Sequence, residues 1–490
     1  QLGARGLPLA INQYTGGPPD WPAHHLYTLT GSVNVPLVFH VVLGGVLLLG
    51  VFRFLRRHGT DVAAAVAALV LAVDWSFVFY KRALGGTELA LQAGLLLCLW
   101  ATWDRRWGSG QWGLMGFAFG VGLGLMAKLT FALPLFGLML AALVTRWDKP
   151  PMKPPMPLRR QLLPSAILVA VMTAPLWGTW IHHLWLPQTP RVHSHDFPSL
   201  QLRRVLKAVT GQGAPDRESL VNLYYWALEP LGFFRQAYGV DAAPQPSAWR
   251  AGGWLLVLSG IALGWRDRHP TPQTALLRMV SVAMVLQVGI VWVVARDLHH
   301  LAMLAPMQAI LIGLAVEHLC AMFTPPRSRA RARLALLLSV PWLWAGMGDV
   351  WRTDAVLAQI DTPTFTRRGQ NALVKMLRDQ KVERLVASDY ELYGLLEILT
   401  PDIDVTHGWA ATSRRYGDAL PGLLRQAEGG HFLVIRASAP MIYNLRPSRG
   451  RLAREGQALG LDVQPVASLP DDAATLYAVA PLEGPPAGAD

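Results

Sequence analysis

Charge is scarce in this chain: only 16% of its 490 residues are Asp, Glu, Lys or Arg, whereas 52% are hydrophobic. A soluble globular protein of this length normally carries more charge, because its exterior must face water. The mean hydropathy of +0.29 points the same way. The composition therefore excludes an ordinary soluble protein. It predicts a polytopic α-helical membrane protein with the lipid bilayer as a partner.

Cysteine is also scarce, and the sequence shows no glycine-rich phosphate-binding loop. The only two cysteines, Cys98 and Cys320, lie in or beside apolar runs, which excludes a disulfide framework and a cysteine metal site. In the C-terminal part, Gly429-Gly430 precedes a predicted strand instead of following one. A glycine-rich phosphate loop needs the opposite order, so no nucleotide cofactor is expected.

Acidic residues are fewer than basic ones, 32 against 44, and the net charge is +12. In a soluble protein this excess would suggest a nucleic-acid partner. Here the cations fall mostly in short loops between apolar runs, a distribution typical of the inner side of a membrane protein. No nucleic-acid partner is therefore expected.

The first 31 residues are polar and rich in breakers, including Gly16-Gly17, Pro18-Pro19 and Pro22. We predict that residues 1–31 form an outer N-terminal loop without a regular element. The chain begins at Gln1, and neither a signal peptide nor an apolar span is visible before residue 32. We therefore expect an N-terminally truncated chain whose missing helix would place Gln1 outside.

Residues 32–347 are predicted to form a transmembrane domain of about ten spans, since apolar runs of roughly 15–23 residues suit tilted or extended membrane helices. With Gln1 outside, the inner loops are consistently basic. The outer side then receives the segment 187–250 and the whole C-terminal part, in a bacterial plasma membrane. The predicted spans are Val33–Leu55, Val62–Tyr80, Glu88–Trp103, Leu114–Ala127, Leu129–Val144, Leu162–Trp185, Trp254–Trp265, Leu276–Ala295, Leu301–Leu319 and Leu334–Met347.

Residues 348–480 have a different composition, with alternating and amphipathic segments in place of long apolar runs. Predicted helices alternate with predicted strands such as Arg384–Ser388 and His431–Arg436. This alternation predicts a soluble α/β domain built on an open sheet, outside the membrane. Residues 481–490 are predicted to be a disordered tail.

The chain turns from the second to the third run through Tyr80–Glu88, which holds Lys81, Arg82 and Glu88. Ionisable groups at a membrane boundary are costly, and they are often kept where they line a wet cavity or bind a ligand. Lys81 and Arg82 could equally snorkel to lipid headgroups. Glu88 gains nothing from anionic lipid, so it is the stronger candidate for a functional residue.

Two further turns on the predicted outer side carry cationic groups. Lys128 is a lone cation between two runs, and Arg296 precedes His299-His300. Lys128 could snorkel or cap a helix, and the histidines could be structural caps. Two adjacent histidines face different ways on a helix, which disfavours a two-histidine metal pair. Together the three turns suit an anionic phosphate beside an acid, with a divalent metal at Glu88 as one way to join them.

The outer segment 187–250 also contains aromatic residues. Tyr224, Tyr225 and Trp226 stand together in a helical pattern. This cluster is either an anchor at the membrane surface or part of a lid over an outward-facing cavity.

Four stretches in this order resemble the GT-C glycosyltransferases that use polyprenyl-phosphate sugars. Within that class the resemblance is to the protein mannosyltransferase and aminoarabinose transferase group, or glycosyltransferase family 39. It covers about the first two thirds of the chain. The stretches are Leu7–Gly17 with Leu26–Gly31, Tyr80–Leu91, Gly122–Lys128 and His299–Pro306.

The resemblance implies an enzyme that moves a sugar from a polyprenyl-phosphate donor to a protein, lipid or glycan hydroxyl on the outer face. It implies that Glu88 is catalytic or metal-binding and that Tyr14, Tyr224 and Tyr225 belong to substrate loops. Family members also carry an acidic pair in the first outer loop, which this chain begins too late to contain. The donor phosphate would be held by Lys81, Arg82, Lys128, Arg296, His299 and His300.

Two other functions remain open at the level of the sequence. A non-enzymatic lipid or solute transporter, including a flippase, would show inverted repeats and midplane polar groups. The sequence shows neither a repeat nor such groups. A membrane-anchored sensor would act through its C-terminal domain, although ten spans are many for an anchor.

Overall fold

The computed structural model divides into a helical unit, residues 1–233 and 244–352, and a C-terminal unit, residues 353–490 with 234–243. The sequence predicts the start of the C-terminal part at residue 348. The structure describes residues 10–12, 15–16, 19, 21–32, 34–82, 86–107, 113–145, 158–185, 217–229, 247–267, 270–295, 298–326, 328–359, 367–387, 396, 399–400, 402–407, 420–435, 448–470 and 474–482.

The first segment contains regular structure, so the prediction that residues 1–31 hold none is wrong. Strand β1 (Ala10–Asn12) pairs antiparallel with β2 (Thr15–Gly16), and helix α1 covers Trp21–Thr30. Pro22 does not break this helix, because it lies in the first turn, where no intrahelical N–H bond is lost. Gly31 follows the helix with φ of 64°, the left-handed conformation that commonly ends helices.

The helical unit continues with long apolar helices. Two short 3₁₀ helices, Leu129–Phe131 and Leu298–Leu304, separate some of them. The latter, which carries His299 and His300, is called the histidine segment. The α-helices are α2 (Asn34–His58), α3 (Asp61–Ala72), α4 (Trp75–Arg82), α5 (Gly86–Trp107), α6 (Gly113–Ala127), α7 (Ala132–Val144), α8 (Leu158–Trp185), α9 (Arg217–Leu228), α10 (Ala248–Arg266), α11 (Pro272–Ala295), α12 (Ala305–Phe323) and α13 (Arg329–Gln359).

The predicted single span Val62–Tyr80 is wrong, because the chain breaks between α3 and α4. Asp74 causes this break: its Oδ1 accepts hydrogen bonds from the Ser76 hydroxyl at 2.6 Å and from the Phe77 amide at 3.0 Å. An acidic side chain that satisfies amides in this way starts a new helix. Helix α4, which ends in Lys81 and Arg82, therefore begins at its own capping residue.

Within the part of the chain that the structure describes, four helices are long and apolar enough to cross a membrane: Asn34–His58, Pro272–Ile290, Leu301–Phe323 and Arg329–Arg352. Shorter apolar helices occur at Asp61–Ala72, Gly113–Ala127, Leu129–Val144 and Leu162–Pro175. Large aliphatic side chains such as Val38, Val46 and Leu255 are exposed on helix surfaces, as a lipid-facing exterior requires. The chain is thus an integral membrane protein, and the number of ten spans stays a prediction.

Helix α12 lies at the centre of the unit, and nearly all of its residues are buried. Its neighbours approach through small residues. A Cβ on Gly313 would lie 2.5 Å from the Ala63 carbonyl oxygen, and one on Gly260 would lie 2.7 Å from the Ala315 carbonyl oxygen. Glycine at these contacts allows the backbones to meet, which is how helices associate where lipid removes the hydrophobic driving force.

At one end of the helical unit, polar side chains link neighbouring helices. We call the end that carries the following contacts the far end. His58 Nε2 lies 2.9 Å from Asp104 Oδ1, and Arg331 Nη2 lies 2.9 Å from Glu317 Oε1. Gln273 Nε2 donates to the Gly59 carbonyl at 3.0 Å. These links join α2 to α5, α12 to α13, and the turn after α2 to α11.

The C-terminal unit contains a five-stranded sheet of order β4-β3-β5-β7-β6. Strands β4, β3 and β5 are parallel, whereas β7 runs antiparallel to both β5 and β6. Separate hydrophobic clusters, around Leu433 and around Phe432, pack on its two faces. The elements are α14 (Arg367–Asp379), β3 (Arg384–Ala387), β4 (Asp404–His407), α15 (Leu420–Gln426), β5 (Gly430–Ile435), α16 (Arg449–Ala458), β6 (Leu461–Ser468) and β7 (Ala474–Pro481).

The predicted α/β character of this part is therefore confirmed, and the sheet is mixed. Most of the predicted disordered tail, residues 481–490, lies outside the described residues.

Candidate active site

Glu88 lies in the first turn of α5, which begins at Gly86. A carboxylate in that position is stabilised by the free amides and the dipole of the helix N-terminus. Its neighbour Thr87 is buried, while Glu88 itself is only half-buried. Glu88 is therefore held by its helix and remains partly accessible, as an acid that meets a substrate must be.

Gln92 follows Glu88 by one helical turn and is fully buried. Its Nε2 donates a hydrogen bond of 2.9 Å to the carbonyl oxygen of Ala302 in the histidine segment. This bond joins the first turns of α5, which begin with the predicted residue Glu88, to the segment that carries His299 and His300.

Lys128 lies where α6 ends and the 3₁₀ helix Leu129–Phe131 begins. Its backbone is extended, with φ −161° and ψ 130°, and its carbonyl oxygen accepts from the Phe131 amide at 2.9 Å. Its side chain is only 7% exposed. A lysine that snorkels along the lipid-facing surface would be far more exposed, so the burial favours a role inside the protein.

The packing of α5 on α6 relates Lys128 to Glu88. A Cβ on Gly94 would meet the backbone of Gly120 and Gly124, and Cys98 Sγ lies 3.7 Å from the Phe117 carbonyl oxygen. These contacts define an antiparallel register. Continued towards the start of α5, the same register puts Lys128 at the level of Glu88 along the helix axes, within about one residue rise of 1.5 Å. We call this end, with Thr87–Gln92, Lys128 and the histidine segment, the site end.

The tyrosine pair lies on a helix that packs beside the histidine segment. Helix α9 packs against this segment and against α10 and α11. The rings of Tyr224 and Tyr225 are 5.8 Å apart, with Tyr225 packed on the hydrophobic core and Tyr224 exposed. Helix α9 thus carries one tyrosine that holds it to the helical unit and one that faces outward.

The remaining predicted site residues lie wholly or partly outside the described residues. Arg296 and Tyr14 lie outside the described residues, as do the side chains of Lys81, Arg82, His299 and His300. The backbone of Lys81 and Arg82 ends α4, shortly before α5. A divalent metal at Glu88 stays a prediction: among the described residues, no three His, Cys, Asp or Glu side chains come together as a metal site.

Sequence reasoning missed two features of this unit. It overlooked Gln92, and it treated Arg250 as the end of a loop. Arg250 forms a buried ion pair with Asp349, with Nε and Nη2 at 2.7 Å and 2.6 Å from Oδ2. In the sequence, Gln92 is only a polar residue inside an apolar helix, and Arg250 is only a charge near the start of one. Neither pattern indicates the partner, which lies far away in the chain.

Comparison with known proteins gives a partial family match. A family model described as dolichyl-phosphate-mannose-protein mannosyltransferase matches residues 19–179. This stretch includes Glu88, Gln92 and Lys128. No curated protein matches the chain.

Solved structures match over the whole length. ArnT from Cupriavidus metallidurans bound to undecaprenyl phosphate is 12% identical, with 99% of this chain and 95% of that chain covered and a TM-score of 0.53. The apo form of ArnT gives 14% identity, coverage of 99% and 92%, and a TM-score of 0.53.

A third structure is the Archaeoglobus fulgidus oligosaccharyltransferase tethered to an acceptor peptide. It is 12% identical and covers 87% of this chain and 62% of that chain, but its TM-score of 0.41 is too low to establish a common fold. The two ArnT structures establish the fold alone at their low identity. The predicted resemblance to GT-C glycosyltransferases is thereby confirmed at the level of the fold.

Proposed function

We propose that this chain, which has the GT-C fold, is a membrane glycosyltransferase that takes its sugar from a polyprenyl-phosphate donor. One observation carries the proposal: the stretch that matches the mannosyltransferase family model contains both Glu88 and Lys128, and the antiparallel packing of α5 on α6 supports a common level for Glu88, near the start of α5, and Lys128, which follows α6. The lipids in the names of the similar proteins, dolichyl phosphate and undecaprenyl phosphate, are both polyprenyl phosphates.

The reaction needs two charged groups of opposite sign. The acceptor hydroxyl attacks the anomeric carbon of the donor, the bond from that carbon to the phosphate oxygen breaks, and the electron pair leaves with the polyprenyl phosphate. The Lys128 ammonium would bind the phosphate as a point charge and stabilise its growing negative charge. The Glu88 carboxylate would accept the hydroxyl proton, as a general base within hydrogen-bond reach.

Burial of Lys128 is important for this role. A cation in a site from which water is largely excluded attracts a phosphate more strongly than one on a wet surface. The half-buried Glu88, at the same level, would leave room for an acceptor on its exposed side.

The sugar, the acceptor class and the outer location of the reaction belong to the proposal. An alcohol on a protein, a lipid or a glycan would serve the same chemistry. The far end of the helical unit lies next to loops that the sequence predicts to be inner loops, because they are basic. The site end lies at the opposite end of α5, which supports a reaction on the outer side of the membrane.

The test uses the purified full-length chain in lipid nanodiscs. Undecaprenyl phosphate should bind, and undecaprenol, which lacks the phosphate, should bind at least tenfold more weakly. Incubation with a radiolabelled polyprenyl-phosphate sugar and membrane extracts should then give a labelled product and free polyprenyl phosphate. Transport of the labelled lipid across a vesicle membrane without any new covalent product would contradict the proposal and favour a flippase.

A further inference from the structure

Gln92 stands out among the buried polar residues of the site end because its bond joins two separate parts of the predicted site. It lies four residues after Glu88, so the two residues occupy the same face of α5, one turn apart. A buried side-chain amide without a partner would cost free energy, and Gln92 avoids this cost through the Ala302 carbonyl. The bond spans 210 positions of the sequence.

The sequence explains why the Ala302 carbonyl has capacity for this bond. In an α-helix that carbonyl would accept from the amide of residue 306. That residue is Pro306, which has no N–H, and it lies in the first turn of α12. Gln92 thus supplies a donor that the α-helical pattern lacks here, and a carbonyl oxygen has two lone pairs, so this bond is compatible with the i+3 pattern of the 3₁₀ helix.

The geometry of the histidine segment adds the functional link. A 3₁₀ helix has three residues per turn, so Ala302 and His299 lie at the same position on its circumference, one turn apart. The Gln92 bond therefore ties the turn after Glu88 to the turn after His299. It sets the separation between the acid turn of α5 and the histidine segment.

We infer that Gln92 is a positioning residue for the proposed glycosyl transfer: it holds Glu88 at a fixed distance from the histidine segment. This inference rests on the proposed function. Gln92 acts through the elements that it joins, without touching a substrate. A small shift of catalytic groups is enough to slow a reaction by roughly 100-fold, so a single hydrogen bond of this kind can matter for the rate.

The chain offers a matched control at the far end. Gln273 also donates its side-chain amide to the backbone carbonyl of a distant element, at 3.0 Å from Gly59, and it lies away from Glu88. Gln92→Leu and Gln273→Leu each remove one such bond and keep a similar volume. Gln92→Asn keeps the amide but withdraws it by one methylene, about 1.5 Å.

The kinetic experiment measures kcat and KM of the full-length variants in nanodiscs with the radiolabelled donor. Gln92→Leu should lower kcat by roughly 100-fold with donor KM changed less than threefold, Gln92→Asn should fall between it and wild type, and Gln273→Leu should stay within about threefold of wild type. If the wild type transfers sugar and the variants Gln92→Leu and Gln273→Leu have equal kcat values, the inference about Gln92 is wrong, while the proposed function stands.

A second readout separates this inference from the proposed function. Hydrogen exchange at the amides of the histidine segment should become roughly tenfold faster in Gln92→Leu and remain unchanged in Gln273→Leu. This result would support the coupling of the two elements whether or not a sugar is transferred. If exchange does not change, Gln92 does not hold the segment. If the wild-type chain transfers no sugar, the proposed function fails, and with it the role of Gln92 in transfer.

Discussion

The two units of this protein have opposite kinds of internal packing. In the helical unit, backbones meet at glycines such as Gly94, Gly260 and Gly313, and many aliphatic side chains point outward. In the C-terminal unit, large aliphatic and aromatic side chains fill two clusters on a sheet. Among the large exposed hydrophobic residues of the described chain, only Val466 and Leu482 belong to the C-terminal unit.

The difference follows from the solvent that each unit meets. In lipid, burying a leucine gains little, so helices associate by close van der Waals contact between small residues. In water, burying apolar area is the dominant favourable term, so large side chains turn inward. The comparison also separates the roles of the units, because all predicted site residues lie in the helical unit.

The largest expected effect comes from the acid of the helical unit. Glu88→Gln removes the proposed base without changing its shape, and transfer should fall by roughly 10³-fold, in line with general base catalysis. The same change at the exposed Glu428 of the C-terminal unit should leave the rate unaltered. Initial rates with radiolabelled donor measure both. Near-normal turnover in Glu88→Gln would remove Glu88 from the mechanism.

Overpacking should break the glycine contacts of the helical unit. A Cβ on Gly94 would lie 2.7 Å from the Gly120 carbonyl oxygen, so Gly94→Val should separate α5 from α6 and destabilise the unit by about 3 kcal/mol. Gly45→Ala, where a Cβ would meet nothing within 4 Å, is the control. The yield of monodisperse protein and its thermal midpoint report the effect. Similar behaviour of the two variants would argue against packing by small residues.

Truncation should have its main effect in the C-terminal unit. Leu433 in β5 is fully buried, and Leu433→Ala should cost about 2–5 kcal/mol through lost burial and a cavity. Val466→Ala, at a 39% exposed position, should change stability by less than about 0.5 kcal/mol. Pulse proteolysis of the full-length chain should show loss of the C-terminal unit while the helical unit stays resistant. Simultaneous digestion of both units would show that their cores are not independent.

Lysine substitution tests the phosphate role. Lys128→Ala should weaken undecaprenyl phosphate binding by roughly 10–100-fold, because a bond to a charged group is lost, while the KM of the acceptor stays unchanged. Lys375→Ala in the C-terminal unit removes an exposed lysine paired with Asp379 and serves as the control. Equal losses for donor and acceptor would contradict a specific contact to the donor phosphate.

The smallest expected effect is a pH dependence of the C-terminal unit. Burial lowers the pKa of His431 from its ordinary value, while a bond with the Arg384 backbone acts in the opposite direction. Protonation then favours the unfolded state, so the stability contribution is complete above about pH 6.5 and declines as the pH falls towards the lowered value. The effect is small because the imidazole keeps part of its hydration.

The urea midpoint of that unit, measured by pulse proteolysis between pH 5 and 8, should therefore depend less on pH in His431→Gln. An identical slope in the wild type and the variant would assign the dependence to other groups.

Much of the architecture was predictable from local pattern. The apolar runs at Leu276–Ala295 and Leu301–Leu319 correspond closely to α11 and α12 with its preceding segment, because helix length and hydropathy are properties of consecutive residues. The break at Asp74 was not predicted, since a capping carboxylate inside an apolar run gives only a weak signal. Pro22 was misread because a proline breaks a helix in its interior but fits its first turn.

The candidate site shows the same division. Glu88, Lys128 and the histidine segment were identified one by one, as charged or polar groups at the ends of apolar runs. Their relation depends on the glycine register of α5 and α6 and on the Gln92 bond, which connect residues far apart in the chain.

By itself, the sequence determined that this is an integral membrane protein and that a second unit with strands follows. It also determined which charged residues lie at the ends of the apolar runs. These properties depend on composition and short-range periodicity. Only the tertiary structure decided that Lys128 is buried at the level of Glu88, that Gln92 joins α5 to the histidine segment, and that Arg250 pairs with Asp349. Such contacts arise when distant helices pack at close range, and no local pattern encodes which side chains will then meet.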